Sequence, residues 1–123
     1  MYTLEEAIEA LRPGASWVQY ETEYSGLRWL DETQTKPTEE EIVQKVAELE
    51  YKKEVEAYKQ QRAAEYPSIA EQQDMQFHDA VNGTTTWKDA IQAVKDKYPK
   101  QTMDSDELER RKQQALTDLE TES

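Results

Sequence analysis

The residues that could carry out acid, base or metal chemistry are few in this chain. His78 is the only histidine, it lies four residues after Asp74 on the same face of a predicted helix, and there is no cysteine. One imidazole and one carboxylate are too few for a zinc site, which takes three or four protein ligands. A structural or surface role for His78 is therefore favoured over a role as a ligand or base.

The other groups that could act as nucleophiles or hold phosphate lack the neighbours that such chemistry needs. Thr84, Thr85 and Thr86 have no nearby base other than His78, and helix capping explains their hydroxyls better. The three glycines are isolated from one another, so no phosphate-binding loop is predicted, and calcium-loop spacing is absent. No pair of carboxylates is marked as buried with opposed pKa values. We therefore predict a protein that is not an enzyme and binds no cofactor or metal.

The composition predicts one domain with a thin apolar core. Of the 123 residues, 36% are hydrophobic and 34% are charged, and the net charge is −12. The 15 basic residues are interleaved with 27 acidic ones, which disfavours nucleic acid as a partner. No apolar run approaches the roughly 20 residues that cross a bilayer, and the first residues lack the features of a signal peptide. We expect a soluble protein made in the cytoplasm, with no membrane partner, whose acidity serves solubility more than attraction to a basic partner.

The amino-terminal third predicts a short helix and a β-hairpin. Thr3 and Glu6 form a capping-box pattern that begins the helix. Two aromatic and β-branched runs, 17–20 and 27–30, are separated by a polar stretch and predict an antiparallel hairpin. Two strands alone are marginal, so they must pack on the helix or on a partner. The sequence leaves a core role and an interface role equally open for four aromatic residues: Trp17, Tyr20, Tyr24 and Trp29.

The middle of the chain predicts one long helix with two apolar stripes. After a polar linker at 31–37, Thr38 and Glu41 form a capping box for a helix that extends from residue 39 to about residue 65. One stripe consists of Ile42, Val46 and Leu49, and the other, on nearly the opposite side, consists of Tyr51, Val55 and Tyr58. We expect the first half to pack with the amino-terminal unit and the second half with residues 67–99 or another subunit. Because exposed apolar stripes usually mark interfaces, we predict that another protein chain buries at least one stripe.

Residues 66–99 predict a pair of shorter helices. Ser68 with Glu71 forms a capping box for the first, and Thr86 with Asp89 is predicted to cap the second. The second helix has the clearest apolar stripe in the chain, with residues recurring at intervals of three and four: Trp87, Ala90, Ile91, Val94 and Tyr98.

Together these patterns predict a mainly α fold with a small amino-terminal β-hairpin, in four segments. The segments are a helix and hairpin at 1–37, the long central helix at 38–66, the helical hairpin at 67–100 and an acidic tail helix at 101–123. The tail helix is predicted to be largely solvated and capped by Asp104 or Ser105. The candidate protein-interaction residues are Trp17, Tyr20, Tyr24, Trp29, Tyr51, Val55 and Tyr58.

Three stretches of the chain resemble small proteins encoded beside the tail-fibre genes of tailed bacteriophages. Residues 7–15 read Ala-Ile-Glu-Ala-Leu-Arg-Pro-Gly-Ala, and residues 29–38 read Trp-Leu-Asp-Glu-Thr-Gln-Thr-Lys-Pro-Thr. Residues 62–69 read Arg-Ala-Ala-Glu-Tyr-Pro-Ser-Ile, and the likeness continues through Asp74 and Trp87 to Lys100. The chain thus resembles the XkdW-like and tail-assembly-chaperone-like proteins of tailed phages and prophages over residues 1–100. These relatives often have an apolar residue where this chain has Gln73, which weakens the internal packing expected of that helix.

The resemblance implies a role in a phage tail. We expect a structural or adaptor protein of the virion tail or tail fibre, synthesised in the host cytoplasm. Its partners would be other tail or fibre proteins, with a homo-oligomer as a further possibility. The alternative is a transient assembly chaperone that binds the fibre during folding and is absent from the mature particle.

Overall fold

A computed structural model describes residues 2–20 and 23–122 of the chain. The elements are α1 Leu4–Leu11, β1 Trp17–Gln19, β2 Leu27–Trp29, α2 Glu39–Glu65, α3 Ile69–Asn82, α4 Thr86–Lys97 and α5 Ser105–Glu122, with a 3-10 turn at Tyr24–Gly26 between the strands. The predicted fold class, mainly helical with a small antiparallel hairpin near the amino terminus and a long helix after it, is confirmed.

The chain divides into two compact units, and the boundary lies inside α2. The first unit comprises Met1–Glu54 and Met103–Ser123, and the second comprises Val55–Thr102. The two halves of α2 therefore belong to different units, as the change in direction of its apolar stripes predicted. The tail helix α5 belongs to the first unit, and the predicted segment 38–66 is divided between the two units.

The core of the first unit forms where α1, the hairpin and the start of α2 meet. Thr3 accepts a hydrogen bond from the backbone N–H of Glu6 (3.2 Å), which fixes the start of α1 as the capping pattern predicted. Ala7 and Ile8 on the inner face of α1 are fully buried. They form one cluster with Leu27 and Ile42, and half-buried side chains pack around it: Leu4, Leu11, Trp17, Tyr24, Trp29 and Val46.

The hairpin rests on this core through its tryptophan face. Trp17 lies opposite Trp29, and Gln19 lies opposite Leu27. Because side chains alternate between the faces of a strand, these four residues share one face. The structure therefore assigns Trp17 and Trp29 to the core of the first unit, and Tyr24 likewise packs against that core. The interface role that the sequence left open for these three residues is not supported by their exposure.

The predicted polar linker at 31–37 is a loop held by hydrogen bonds from its own residues and from Ser16. The carboxylate of Asp31 accepts hydrogen bonds from the backbone N–H groups of Ser16 (2.9 Å), Thr33 (2.8 Å) and Gln34 (2.8 Å) and from the Thr33 hydroxyl (2.9 Å). These donors, that of Ser16 foremost, lower the pKa of Asp31 to about 2. At the end of the loop Pro37 is fully buried, and its carbonyl accepts a bond from the Tyr24 hydroxyl (2.8 Å).

This pKa gives a prediction about stability in acid. Because the folded-state pKa of Asp31 lies below its ordinary value of 3.8, its ionised form stabilises the fold above about pH 4, and this contribution is lost as the pH falls towards 2. We expect the urea midpoint of the parent protein to exceed that of Asp31→Asn from neutral pH down to about 4 and the difference to shrink below that. Urea titrations at several pH values, followed by circular dichroism, measure the two midpoints. A difference between the midpoints that stays constant down to pH 2 would contradict the prediction.

The second unit is organised by a carboxylate that the sequence did not single out. Asp79 in α3 accepts the backbone N–H groups of Thr86 (3.0 Å) and Trp87 (2.9 Å) and the hydroxyls of Thr84 and Thr86 (2.6 Å each). These bonds, the Thr84 hydroxyl first, hold the pKa of Asp79 well below its usual range. Thr86 is the first residue of α4, so the prediction that Thr86 caps this helix with Asp89 is wrong. Capping comes instead from Asp79, seven residues earlier, because α3 and α4 lie side by side.

The carboxyl end of α4 is held by the second half of α2. Arg62 donates from Nε to the carbonyl of Tyr98 (2.8 Å), which lies just past the last turn of α4. Lys97 forms an ion pair with Glu65 (2.6 Å). A cationic side chain at this position satisfies carbonyls that have no partner within the helix and complements the negative end of its dipole.

Candidate protein-interaction surfaces

The second predicted stripe of α2 is not an exposed surface. Tyr51, Val55 and Tyr58 are only 8%, 7% and 8% exposed. In the first unit the Tyr51 hydroxyl accepts the backbone N–H of Asp104 (2.9 Å), and the guanidinium of Arg111 lies 4.5 Å from the centre of its ring. The chain's own residues therefore bury this stripe, and it needs no second chain to cover it.

In the second unit, another arginine covers a tyrosine of the same stripe. The Arg62 guanidinium lies 4.9 Å from the centre of the Tyr58 ring and so covers its face. Long basic side chains bury aromatic rings along their stems while their charged ends stay near solvent. On the first stripe Ile42 is 4% exposed and Val46 packs against the core of the first unit. The second stripe is therefore covered by this chain, whereas Val46 and Leu49 of the first stripe are only half-buried.

Tyr20 is the one predicted interaction residue that is largely exposed. Its side chain is 67% exposed, just after β1. Leu30, which follows β2, is also exposed, at 49%. The backbone N–H of Tyr20 donates to the carbonyl of Gly26, and the backbone N–H of Leu30 donates to the carbonyl of Ser16. Tyr20 and Leu30 therefore lie at opposite ends of the two-stranded sheet. They do not form a continuous apolar patch.

A larger exposed apolar surface lies on α3, where the sequence predicted none. Ile69, Phe77 and Val81 are 76%, 73% and 65% exposed. Their spacing of eight and four residues places them on one side of the helix, together with the exposed Gln73. The expectation that position 73 belongs to the internal packing of this helix is therefore wrong. The inner side of α3 carries the half-buried Gln72, Met75 and Asp79.

A surface helix usually turns its apolar side inward and its polar side to water, and α3 does the opposite. Gln72 donates to the Pro67 carbonyl (2.8 Å) and accepts from the Trp87 ring nitrogen (3.1 Å), so polar bonds attach α3 to its own unit. The apolar side chains on the other side are left in water. The signal was present in the sequence as the spacing of Ile69, Phe77 and Val81, but the sequence alone could not show which side of α3 faces α4.

The first unit also contains an apolar groove between α1, α2 and α5, which we call the α5 groove. Its two overlapping parts enclose about 440 and 480 Å3. Both parts are lined by Leu4, Ile42, Val43 and Leu119. The charged residues that line them within the described part of the chain are acidic: Glu23, Glu39, Glu50 and Asp118.

The tail helix forms one wall of this groove and is less solvated than predicted. Asp104 accepts the backbone N–H of Glu107 (3.3 Å) and so caps α5, which was one of the two predicted caps. Arg111 pairs with Glu107 (3.0 Å) within the helix and with Glu54 of α2. The apolar residues of α5 are half-buried: Leu108, Ala115, Leu116 and Leu119.

The described residues offer little else that could do chemistry. Among residues 2–20 and 23–122 no three His, Cys, Asp or Glu side chains are grouped so that they could hold a metal ion. His78 is exposed, and Nδ2 of Asn82 lies 3.0 Å from its Nδ1. None of the helices in this part of the chain combines the length and apolar character of a membrane span.

Comparisons of the chain with models of protein families, with curated proteins and with solved structures found no match. The stretches that resemble phage tail proteins can instead be judged by their contacts. Arg12 donates to the carbonyl of Thr35 (2.8 Å), and the Gln34 side chain donates to the carbonyl of Pro13 (3.0 Å). These bonds join the 7–15 stretch to the 29–38 stretch. These contacts stabilise the end of α1 and the loop at 31–37.

Proposed function

We propose that the chain is a non-enzymatic structural or adaptor protein of a phage tail or tail-fibre apparatus. The resemblance over residues 1–100 supports the phage setting. The observation that carries the adaptor role is the outward apolar side of α3, where Ile69, Phe77 and Val81 are each at least 65% exposed. Exposed apolar side chains that gather on one side of a helix mark contact sites for other proteins. The partner would be a tail or fibre subunit with a complementary apolar surface.

The experiment is quantitative mass spectrometry of purified particles of the phage that encodes the chain. We expect the protein at a fixed ratio to the tail proteins. Phe77→Ser should reduce its incorporation by about tenfold, the effect of losing one well-packed apolar contact of about 1.4 kcal/mol. Gln76→Ser changes a neighbouring exposed residue of α3 and serves as the matched control, for which incorporation should not change.

The same preparations separate the alternative function from the proposed one. If the protein is absent from particles but cross-links to a fibre subunit in infected cells, it is a transient assembly chaperone. If it is found neither in particles nor attached to a tail or fibre subunit, the proposal of a tail function is rejected.

A further inference from the structure

We infer that the α5 groove binds a segment of a partner protein that combines apolar side chains with flanking lysine or arginine residues. This inference deepens the proposed adaptor function, on which the identity of the partner as a tail or fibre protein rests. It uses a different surface from the outward side of α3. The two surfaces can therefore be tested separately.

The floor of the groove requires an apolar occupant. Leu4, Val43 and Leu119 are half-buried aliphatic residues above the buried Ile42. The small residues Ala47 and Ala115 lie along the same floor and leave the groove open. Its volume of about 480 Å3 lies within the range of binding clefts, and a few aliphatic side chains of a peptide would fill it.

The rim of the groove selects the charge of that occupant. None of the four acidic residues of the rim forms an ion pair with a described lysine or arginine, whereas Glu54 and Glu107 nearby are paired with Arg111. Among the described residues, the donor to the Asp118 carboxylate is the neutral amide of Gln114 (2.9 Å). An occupant without cations would remove water from these carboxylates and give them no counter-charge in return. A basic segment supplies that counter-charge.

The same charge disfavours a second copy of the chain in the groove. The first unit contains 20 acidic and 9 basic residues, a net charge of −11, whereas the second unit has 7 acidic and 6 basic residues and a net charge of −1. Two first units brought together would repel each other across the contact. A basic partner is attracted by the same field, which also accelerates its association.

The test uses two synthetic peptides of about four helical turns with one face of leucine and alanine. One peptide carries lysine beside the apolar face, and its twin carries glutamate at the same positions. Each is titrated into the 15N-labelled full chain while amide shifts are recorded by NMR. We expect the lysine peptide to shift the resonances of Leu4, Val43 and Leu119, and the glutamate twin to bind at least about tenfold more weakly.

A pair of double variants shows whether the rim is responsible. Glu50→Lys with Asp118→Lys reverses two charges at the groove. This variant should bind the lysine peptide about tenfold more weakly and the glutamate twin more tightly than the parent protein does. The matched control, Glu32→Lys with Glu109→Lys, changes the net charge equally at exposed residues that do not line the groove, and it should change both affinities by less than about twofold. Circular dichroism checks that both variants are folded.

Three results would overturn the inference. If the two double variants reduce the affinity for the lysine peptide equally, the peptide is attracted by the overall charge of the protein and does not depend on the groove. Lysine-peptide shifts confined to residues outside the groove, or no shifts at about millimolar peptide, would mean that the groove binds no such segment. A dimer that dissociates on Val43→Gln in sedimentation would make a second copy the occupant. None of these results depends on whether the protein is found in phage particles.

Discussion

Replacing Trp17 and Trp29 together by serine is expected to unfold the first unit. The two indole rings lie opposite each other on the hairpin and pack against the core around Ile8. The Trp29 ring nitrogen also donates to the carbonyl of Gln34 (2.8 Å) and so holds the ordered loop. Truncating a core tryptophan costs about 3–5 kcal/mol, and for half-buried rings we expect about 2–3 kcal/mol each. Their combined loss of about 5 kcal/mol equals the whole stability of many domains.

Far-UV circular dichroism and urea unfolding of the double variant measure this effect. Tyr20→Ser is the matched control, because it removes an exposed aromatic ring next to the same hairpin and should change stability by less than about 0.5 kcal/mol. The interface role that the sequence left open for Trp17 and Trp29 would instead make the double variant lose association more than folding. A variant that keeps the parent's urea midpoint and loses only self-association or partner binding would restore that interpretation.

The sequence predicted the elements of this fold well because their signals are local. Capping boxes at Thr3, Thr38 and Ser68 are present as hydrogen bonds to the backbone three residues later. Gly83, which follows Asn82, has a φ of 66° and ends α3, as a glycine at this position usually does. The two short aromatic and β-branched runs likewise form the antiparallel pair that they predicted. Each of these features depends on a few neighbouring residues.

The failures concern contacts between distant residues. Asp79 caps α4 from another helix, and Arg62 and Arg111 cover tyrosine rings of α2, so an apolar stripe that looked uncovered is buried. No periodicity within one helix contains this information. The same holds for the α5 groove: Glu50 and Asp118 are 68 positions apart, and only the packing of α5 places them at one site. Overall acidity, which the sequence showed, could not indicate where the unpaired carboxylates gather.

Trp87→Ala is expected to destabilise the second unit strongly, whereas Phe77→Ala should leave it stable. Trp87 is half-buried at the start of α4, and its ring nitrogen donates to Gln72 of α3 (3.1 Å). Its truncation removes ring packing and leaves the Gln72 oxygen without this donor, so we expect a loss of about 3 kcal/mol. Phe77 is 73% exposed on the other side of α3, and its truncation should change stability by less than about 0.5 kcal/mol.

Amide hydrogen exchange distinguishes these outcomes at residue level. In Trp87→Ala the amides of α3 and α4 should lose protection, because the ring and the Asp79 bonds together attach these two helices. In Phe77→Ala protection should stay at the parent level while incorporation into particles falls. Equal losses of protection in the two variants would mean that Phe77 belongs to the packing of its own unit. Since both changes remove one aromatic ring from the same helical pair, the difference in protection between them measures how far each ring is buried, and only a fall in incorporation would attribute Phe77 to contact with another protein.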